Sequence, residues 1–145
     1  MDDLTAAQRH KNMCAIKSRD TKPELLVRRF LFSKGYRYRL QVRDLPGCPD
    51  IVMRKRKVVI FVNGCFWHQH KGCKFSRIPW NNRKYWADKL KRNVQRDLDA
   101  KQKLLSSGWR ILIVWECALK TKRNLEQNQQ KILNWLEGQD TYLEI

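Results

Sequence analysis

Val58-Val-Ile-Phe-Val62 is the stretch that decides the fold. An unbroken, mostly β-branched apolar run predicts a strand buried on both faces, as in a sheet with helices on either side. Upstream, Arg54-Lys-Arg-Lys57 reads as a basic hairpin tip and Asp50-Ile-Val-Met53 as the short strand it joins. Pro46-Gly-Cys-Pro49 is a turn. Tyr36-Arg-Tyr-Arg-Leu-Gln-Val42 alternates apolar and polar residues, which predicts a half-buried strand. Downstream, Trp109-Arg-Ile-Leu-Ile-Val-Trp115 is a second buried run. A long helix fits from about Asn82 to Ser106, with Trp86, Leu90, Val94, Leu98 and Leu105 on its inner side. Asn93 and Asp97 then share its solvated face. A last helix is predicted over Asn124 to Gly138, with Leu125, Ile132, Leu133 and Leu136 inward. Thr5-Ala-Ala-Gln8 and Thr21-Lys-Pro-Glu24 read as capping boxes opening two further helices, one to about Lys17 and one to Gly35. The order ααβββαβα predicts one α/β domain over residues 1–145, a mixed central sheet covered by helices.

The chain carries 31 Lys+Arg against 14 Asp+Glu, a net charge of +17. All of that excess lies in residues 1–103, which hold 26 basic and 9 acidic residues, while residues 104–145 are neutral. So basic a surface favours a polyanion, because each neutralised phosphate releases condensed counterions. An apolar fraction of 42% is enough for a core and argues against disorder. There is neither an apolar run of about 18 residues nor a signal-peptide pattern, so a cytoplasmic protein without membrane partners is expected. The five cysteines are an odd number in such a chain. Metal ligands or reduced thiols explain them better than disulfides do.

Cys65, His68, His70 and Cys73 lie within nine residues, a density typical of metal ligands. Zinc suits a mixed thiolate–imidazole set. Cys117 follows the second buried run and makes a fifth candidate for four tetrahedral positions, so one histidine is left over. Cys14 and Cys48 stand alone and read as small apolar fillers. Asp50 opens a strand whose partner runs into Asn63 and the histidine loop, which places it where a carboxylate holds Mg²⁺ for phosphodiester cleavage. Phe66, Trp67 and Trp86 are either core rings or surfaces that wedge between bases, and Met13 and Ile16 pose the same choice on the first helix.

Gly64-Cys-Phe-Trp-His68, together with Lys11-Asn-Met13, Pro46-Gly-Cys-Pro-Asp50 and Ile113-Val-Trp-Glu-Cys117, resembles the very-short-patch repair endonucleases over about residues 8–137. The resemblance implies a restriction-endonuclease-like fold in a bacterial enzyme that nicks one DNA strand 5′ to the thymine of a T:G mismatch. Such mismatches are left by deamination of 5-methylcytosine. It implies zinc on Cys65, His70, Cys73 and Cys117, one structural ion per chain. It implies one or two catalytic Mg²⁺ on Asp50 and the Val62 carbonyl. His68, Glu24 and Asp97 fall on active-site positions. Phe66, Trp67 and Trp86 match rings that insert from the major groove, and Met13 and Ile16 match a segment entering the minor groove. A monomer is expected, linked functionally to a cytosine-5 methyltransferase and to mismatch-repair proteins. The chain departs from the family pattern at Val62, where a threonine can occur, and at Asn63, where a histidine can occur. Asn63 orients water at most. One extra residue, Lys71 or Gly72, precedes Cys73. Two rival readings are a restriction-type nuclease cutting both strands and a non-catalytic, zinc-stabilised DNA-binding module.

Overall fold

The apolar run forms the centre of the molecule. A computed structural model describes residues 21–145; the helix expected before Lys17, with Met13, Cys14 and Ile16, lies outside them. Helix α1 spans Lys22–Ser33, strand β1 Arg39–Leu40, β2 Ile51–Met53 and β3 Val58–Asn63. Helix α2 spans Arg83–Ser106, β4 Arg110–Trp115, α3 Lys122–Glu137 and β5 Tyr142–Glu144. The sheet order is β1-β2-β3-β4-β5. β1, β2 and β3 pair antiparallel, whereas β3–β4 and β4–β5 are parallel, so the sheet is mixed as expected. Side chains alternate along β3. Val58 and Ile60 join Leu31, Leu112, Ile132 and Leu136 on the face covered by α1 and α3. Val59 joins Leu104, Trp109 and Ile111 under α2.

Four expectations are corrected. The strand over Tyr36–Val42 shrinks to Arg39–Leu40 because Gln41 is left-handed (φ 51°), which breaks the extended run. Thr21 precedes α1 with no side-chain cap, so the box predicted with Glu24 does not form. Glu24 is instead buried and accepts a hydrogen bond from the Gln41 amide. The inner side of α2 is Trp86, Leu90, Asn93, Ala100 and Leu104, while Leu98 is 53% and Leu105 36% exposed. Steps of four advance about 400° at 3.6 residues per turn and drift about 40° each, so a four-step stripe leaves the sheet by Leu98. Mixed steps of three and four keep to the line and bring Asn93 onto the inward side, opposite to the solvated face expected for it, while Asp97 stays 43% exposed beside it. Finally, β5 was not anticipated. Its pairing with β4 includes Ile111 N–H to Thr141 O at 2.8 Å and Trp115 N–H to Ile145 O at 2.8 Å. On α3, Trp135 joins Ile132 and Leu136 in the core, and Leu125 packs against it partly buried.

Among the described residues no helix is long and apolar enough to cross a membrane.

The reassigned face of α2 has a direct test in urea unfolding. Leu104→Ala empties a fully buried position and should cost about 2–5 kcal/mol. Leu98→Ala should change stability by no more than about 0.5 kcal/mol. Equal costs would return Leu98 to the core.

Candidate active site and metal centre

The parallel β3–β4 pair is in register to its end, with Asn63 opposite Trp115. Two residues beyond that pair, on either strand, come Cys65 and Cys117. The register therefore delivers both thiols to one place, and the loop after β3 returns His70 and Cys73 to them. The donor atoms of Cys65, His70, Cys73 and Cys117 all lie within 4.8 Å of one another, so this group could hold a metal ion. His70 Nδ1 lies 3.7 Å from Cys65 Sγ and 3.4 Å from Cys117 Sγ. Zn–S bonds of about 2.3 Å and Zn–N bonds of about 2.0–2.1 Å at tetrahedral angles put sulfur and nitrogen about 3.6 Å apart, so the donors fit that ion. The electrostatics agree. Burial pushes the Cys65 thiol up to about 12 and raises Cys117 as well. Desolvation also acts on Cys73, but the Phe75 amide and the other two thiols outweigh it and hold Cys73 below its usual value. A dication relieves such a cluster by favouring all three thiolates.

His70 is oriented by stacking on Trp115, centroid to centroid 4.2 Å at 7°. The Trp115 indole N–H in turn donates to Glu144 on β5 at 2.6 Å. The loop is braced by the Gln69 amide, which donates to the carbonyls of Phe66 (2.6 Å) and Ser76 (3.0 Å). Gly72 takes φ 71°, and a Cβ there would meet nothing within 4 Å.

His68 stands outside the thiol cluster. Its Nδ1 lies 2.6 Å from Asp97 Oδ2 on α2. The pair lines a cleft of about 610 Å³ that also collects Glu24, Asp50, Asn63, Arg96 and Glu116. The five acid, amide and histidine positions singled out from sequence thus converge from α1, the turn before β2, β3, the loop and α2. Asp50 accepts the Val62 N–H at 2.7 Å. Burial pushes its carboxyl up to about 6, with the charge of Glu24 adding to the rise and the Val62 amide and His68 opposing it. Gly47 lets the preceding turn press onto the wall: a Cβ there would meet Ala100 Cβ at 2.8 Å and the Phe61 ring at 3.1 Å.

Phe66, Trp67 and Trp86 form one edge-to-face cluster, with centroids 5.1, 5.5 and 5.9 Å apart. Trp86 is buried and backs the two half-buried loop rings. Three turns of α2 grip this loop: Trp86 by packing, Asn93 Nδ2 on the Trp67 carbonyl at 3.2 Å, and Asp97 on His68.

The sequence reading passed over Gln41, Arg96 and Glu116 and placed Asn93 on a solvated face. Glu116 Oε1 accepts the Cys65 N–H at 3.0 Å, joining the thiol cluster to the cleft. Its place between a buried strand and Cys117 was a usable signal, as was the position of Asn93 on the inward line of α2. For Gln41 and Arg96 the sequence holds none.

A strongly basic α/β chain that gathers carboxylates and a histidine over the strand ends of a mixed sheet is a restriction-endonuclease-like nuclease. Residues 1–74 match the family model of the DNA mismatch endonuclease Vsr. The type II nicking enzyme V.XorIIP of Xanthomonas oryzae pv. oryzae is 42% identical over 133 residues, 92% of this chain and 97% of the relative. V.NmeAIP of Neisseria meningitidis, also called a type II nicking enzyme, is 43% identical over 83% of this chain and 86% of its own. DNA mismatch endonuclease Vsr of Escherichia coli is 39% identical over 96% of this chain and 90% of its own. The chain belongs to the Vsr family of DNA mismatch endonucleases, and DNA is its partner.

The raised proton affinity of Asp50 makes stability depend on pH. Its folded value of about 6 exceeds the unfolded value of about 3.9. The folded state therefore binds the proton more tightly, and this contribution is full below pH ~4 and is lost as pH rises to ~6. In magnesium-free buffer at pH 7.5, Asp50→Asn should be more stable by roughly 1–3 kcal/mol, and the gain should vanish near pH 4. A variant that is no more stable at pH 7.5 would mean that the Asp50 charge is already compensated.

Proposed function

We propose that this chain nicks one strand of duplex DNA on the 5′ side of the thymine of a T:G mismatch, initiating very short patch repair of deaminated 5-methylcytosine. One observation carries the reading: a single short loop bears both the rings Phe66 and Trp67 and the histidine that faces the acidic cleft. Opening of a poorly stacked pair and hydrolysis beside it are thereby tied together. The relatives named nicking enzymes support the cutting of one strand, and the E. coli relative supports a mismatch as target. A cytosine-5 methyltransferase makes the base whose deamination yields the lesion, and mismatch-repair proteins meet the same lesion. One site cuts one strand, so a monomer suffices.

Cys65, His70, Cys73 and Cys117 hold zinc in this reading, with no open position, and its contribution is to fix the loop. Asp50, with the Val62 carbonyl beside it, would hold one or two Mg²⁺. Oxygen donors suit that hard cation, and the Val62 N–H that meets Asp50 sets the same side for the Val62 carbonyl. Bound there, Mg²⁺ neutralises charge on the scissile phosphate and the leaving oxygen.

The protein's own groups handle the water. The Asp97 carboxylate only accepts hydrogen bonds, so His68 Nδ1 carries a proton, and in the neutral imidazole Nε2 is the acceptor. Nε2 takes a proton from water as its oxygen bonds phosphorus and the P–O3′ bond breaks; the departing O3′ takes a proton from solvent, leaving a 3′-hydroxyl and a 5′-phosphate. Asn63 and the Glu24–Gln41 pair orient that water. Arg96 is the one guanidinium lining the cleft among the described residues, and it meets the phosphate. Phe66 and Trp67, backed by Trp86, enter from the major groove, and Met13 and Ile16 enter from the minor groove.

A nicking assay on a T:G duplex in Mg²⁺ tests the site. Asp50→Ala should lose nicking by at least about 10³-fold and keep DNA binding. His68→Ala should keep zinc and lose rate by about 10²–10⁴-fold, whereas His70→Ala should lose zinc and solubility. Cleavage of both strands by the unaltered protein would favour the restriction-type reading, and no cleavage at all would favour the binding module.

The wedge has its own readout. A T:G wobble stacks less well than a Watson–Crick pair, so its step is cheaper to open, and inserted rings recover roughly 1–3 kcal/mol per base contacted. Trp67→Ala should weaken binding to T:G duplex roughly tenfold more than binding to matched duplex. Equal losses with intact zinc would reduce these rings to packing.

A further inference from the structure

Trp80 is 84% exposed, in a chain whose other five tryptophans serve the core, the wedge or the metal loop. It lies in the segment 71–87, which holds five basic residues and no acidic one. The Arg83 guanidinium sits 5.4 Å from the Trp80 ring centre and donates to the Ile78 carbonyl at 3.3 Å, so the exposed ring is held in place. Arg77, Ile78, Pro79, Trp80 and Arg83 together line a concavity of about 440 Å³. Among the described residues no carboxylate pairs with Arg77 or Arg83. The surface continues into the wedge: Tyr85 packs on Trp86 at 5.3 Å, and Lys89 Nζ lies 5.9 Å from both the Tyr85 and the Trp67 rings.

We propose that this concavity grips one sugar–phosphate unit of the DNA backbone beside the mismatch, whatever the sequence there. Its apolar members, Ile78, Pro79 and Trp80, suit a deoxyribose. Its two guanidiniums, which have no carboxylate partner among the described residues, suit the phosphate, since each presents several donors in a fixed fork. Contacts of this kind position a protein on DNA and carry no sequence information. The division of labour follows. The wedge discriminates mismatched from matched duplex, and the Trp80 surface supplies salt-sensitive affinity for both.

The proposal rests on the chain acting on DNA and not on its choice of T:G. The test is a salt series of binding titrations without Mg²⁺, on labelled matched and T:G duplexes of one sequence, with zinc content and thermal midpoint as controls. Trp80→Ala, at an exposed position, should keep both controls and weaken binding to both duplexes by the same factor, roughly fivefold to thirtyfold, the order expected for losing about 40–80 Å² of apolar contact. R77Q/R83Q should lower the slope of log K against log salt by about 0.9, the contribution of the one phosphate gripped. Iodide should quench Trp80 in the free protein, and bound matched duplex should shield it. Unchanged affinity in both variants would overturn the proposal. So would a loss confined to T:G duplex, which would merge the surface with the wedge. So would a variant that binds DNA normally but loses concentration-dependent self-association, which would assign the surface to a second copy. If the unaltered protein shows no preference for T:G, the function proposed above fails while the matched-duplex result still decides this one.

Discussion

The in-register parallel pairing of β3 with β4 is the constraint on which the rest depends. It is a backbone relation between two apolar strands, and hydrophobic burial on both faces of the sheet sets it. A slip of one residue would turn the core side chains to the wrong face. It would also part Cys65 from Cys117 and dissolve the donor cluster. The donor cluster is thus an outcome of core packing. Packing on Trp86, the Gln69 brace and the Glu116 clamp on the Cys65 amide hold the loop that follows β3.

Helix α2 performs the matching task from the other side. Its inward line begins with rings, passes through Asn93 with Asp97 beside it, and returns to Ala100 and Leu104. Polar residues on a buried helix line cost stability unless they are bonded. Here each bond also points a functional group, since Asn93 holds the carbonyl of Trp67 and Asp97 holds His68. Asp50 shows the opposing tendency. A half-buried carboxylate beside Glu24 is held against its preference for water, which raises its proton affinity.

The sequence was legible where the physics is local. Val58–Val62 and Trp109–Trp115 announce themselves as doubly buried strands, and the density of Cys65, His68, His70 and Cys73 announces a metal. It was illegible where a partner far along the chain decides. Whether His68 or His70 faces the thiols depends on the path of the loop back to β4. Gln41 and Glu24 are 17 residues apart, and Glu116 and Cys65 are 51 apart. The phase of α2 was misread because a regular four-residue stripe looks convincing on paper and drifts in space. β5 is three residues long, too short for any periodicity, and exists because the exposed edge of β4 offers it a ladder.

The metal loop has two arms of very different tolerance. Between Cys65 and His70, four residues carry two rings, the histidine of the cleft and the amide brace, so their spacing is spoken for on every side. Between His70 and Cys73 the chain swings through Gly72 with nothing within 4 Å. Length variation among relatives should therefore accumulate in the second arm, where a residue gained or lost only changes the width of an outward bulge. A single insertion in the first arm would shift Phe66, Trp67 and His68 together. The ligand cage thus works as a gauge block: it leaves one side of the loop free to diversify and holds the other to a fixed count.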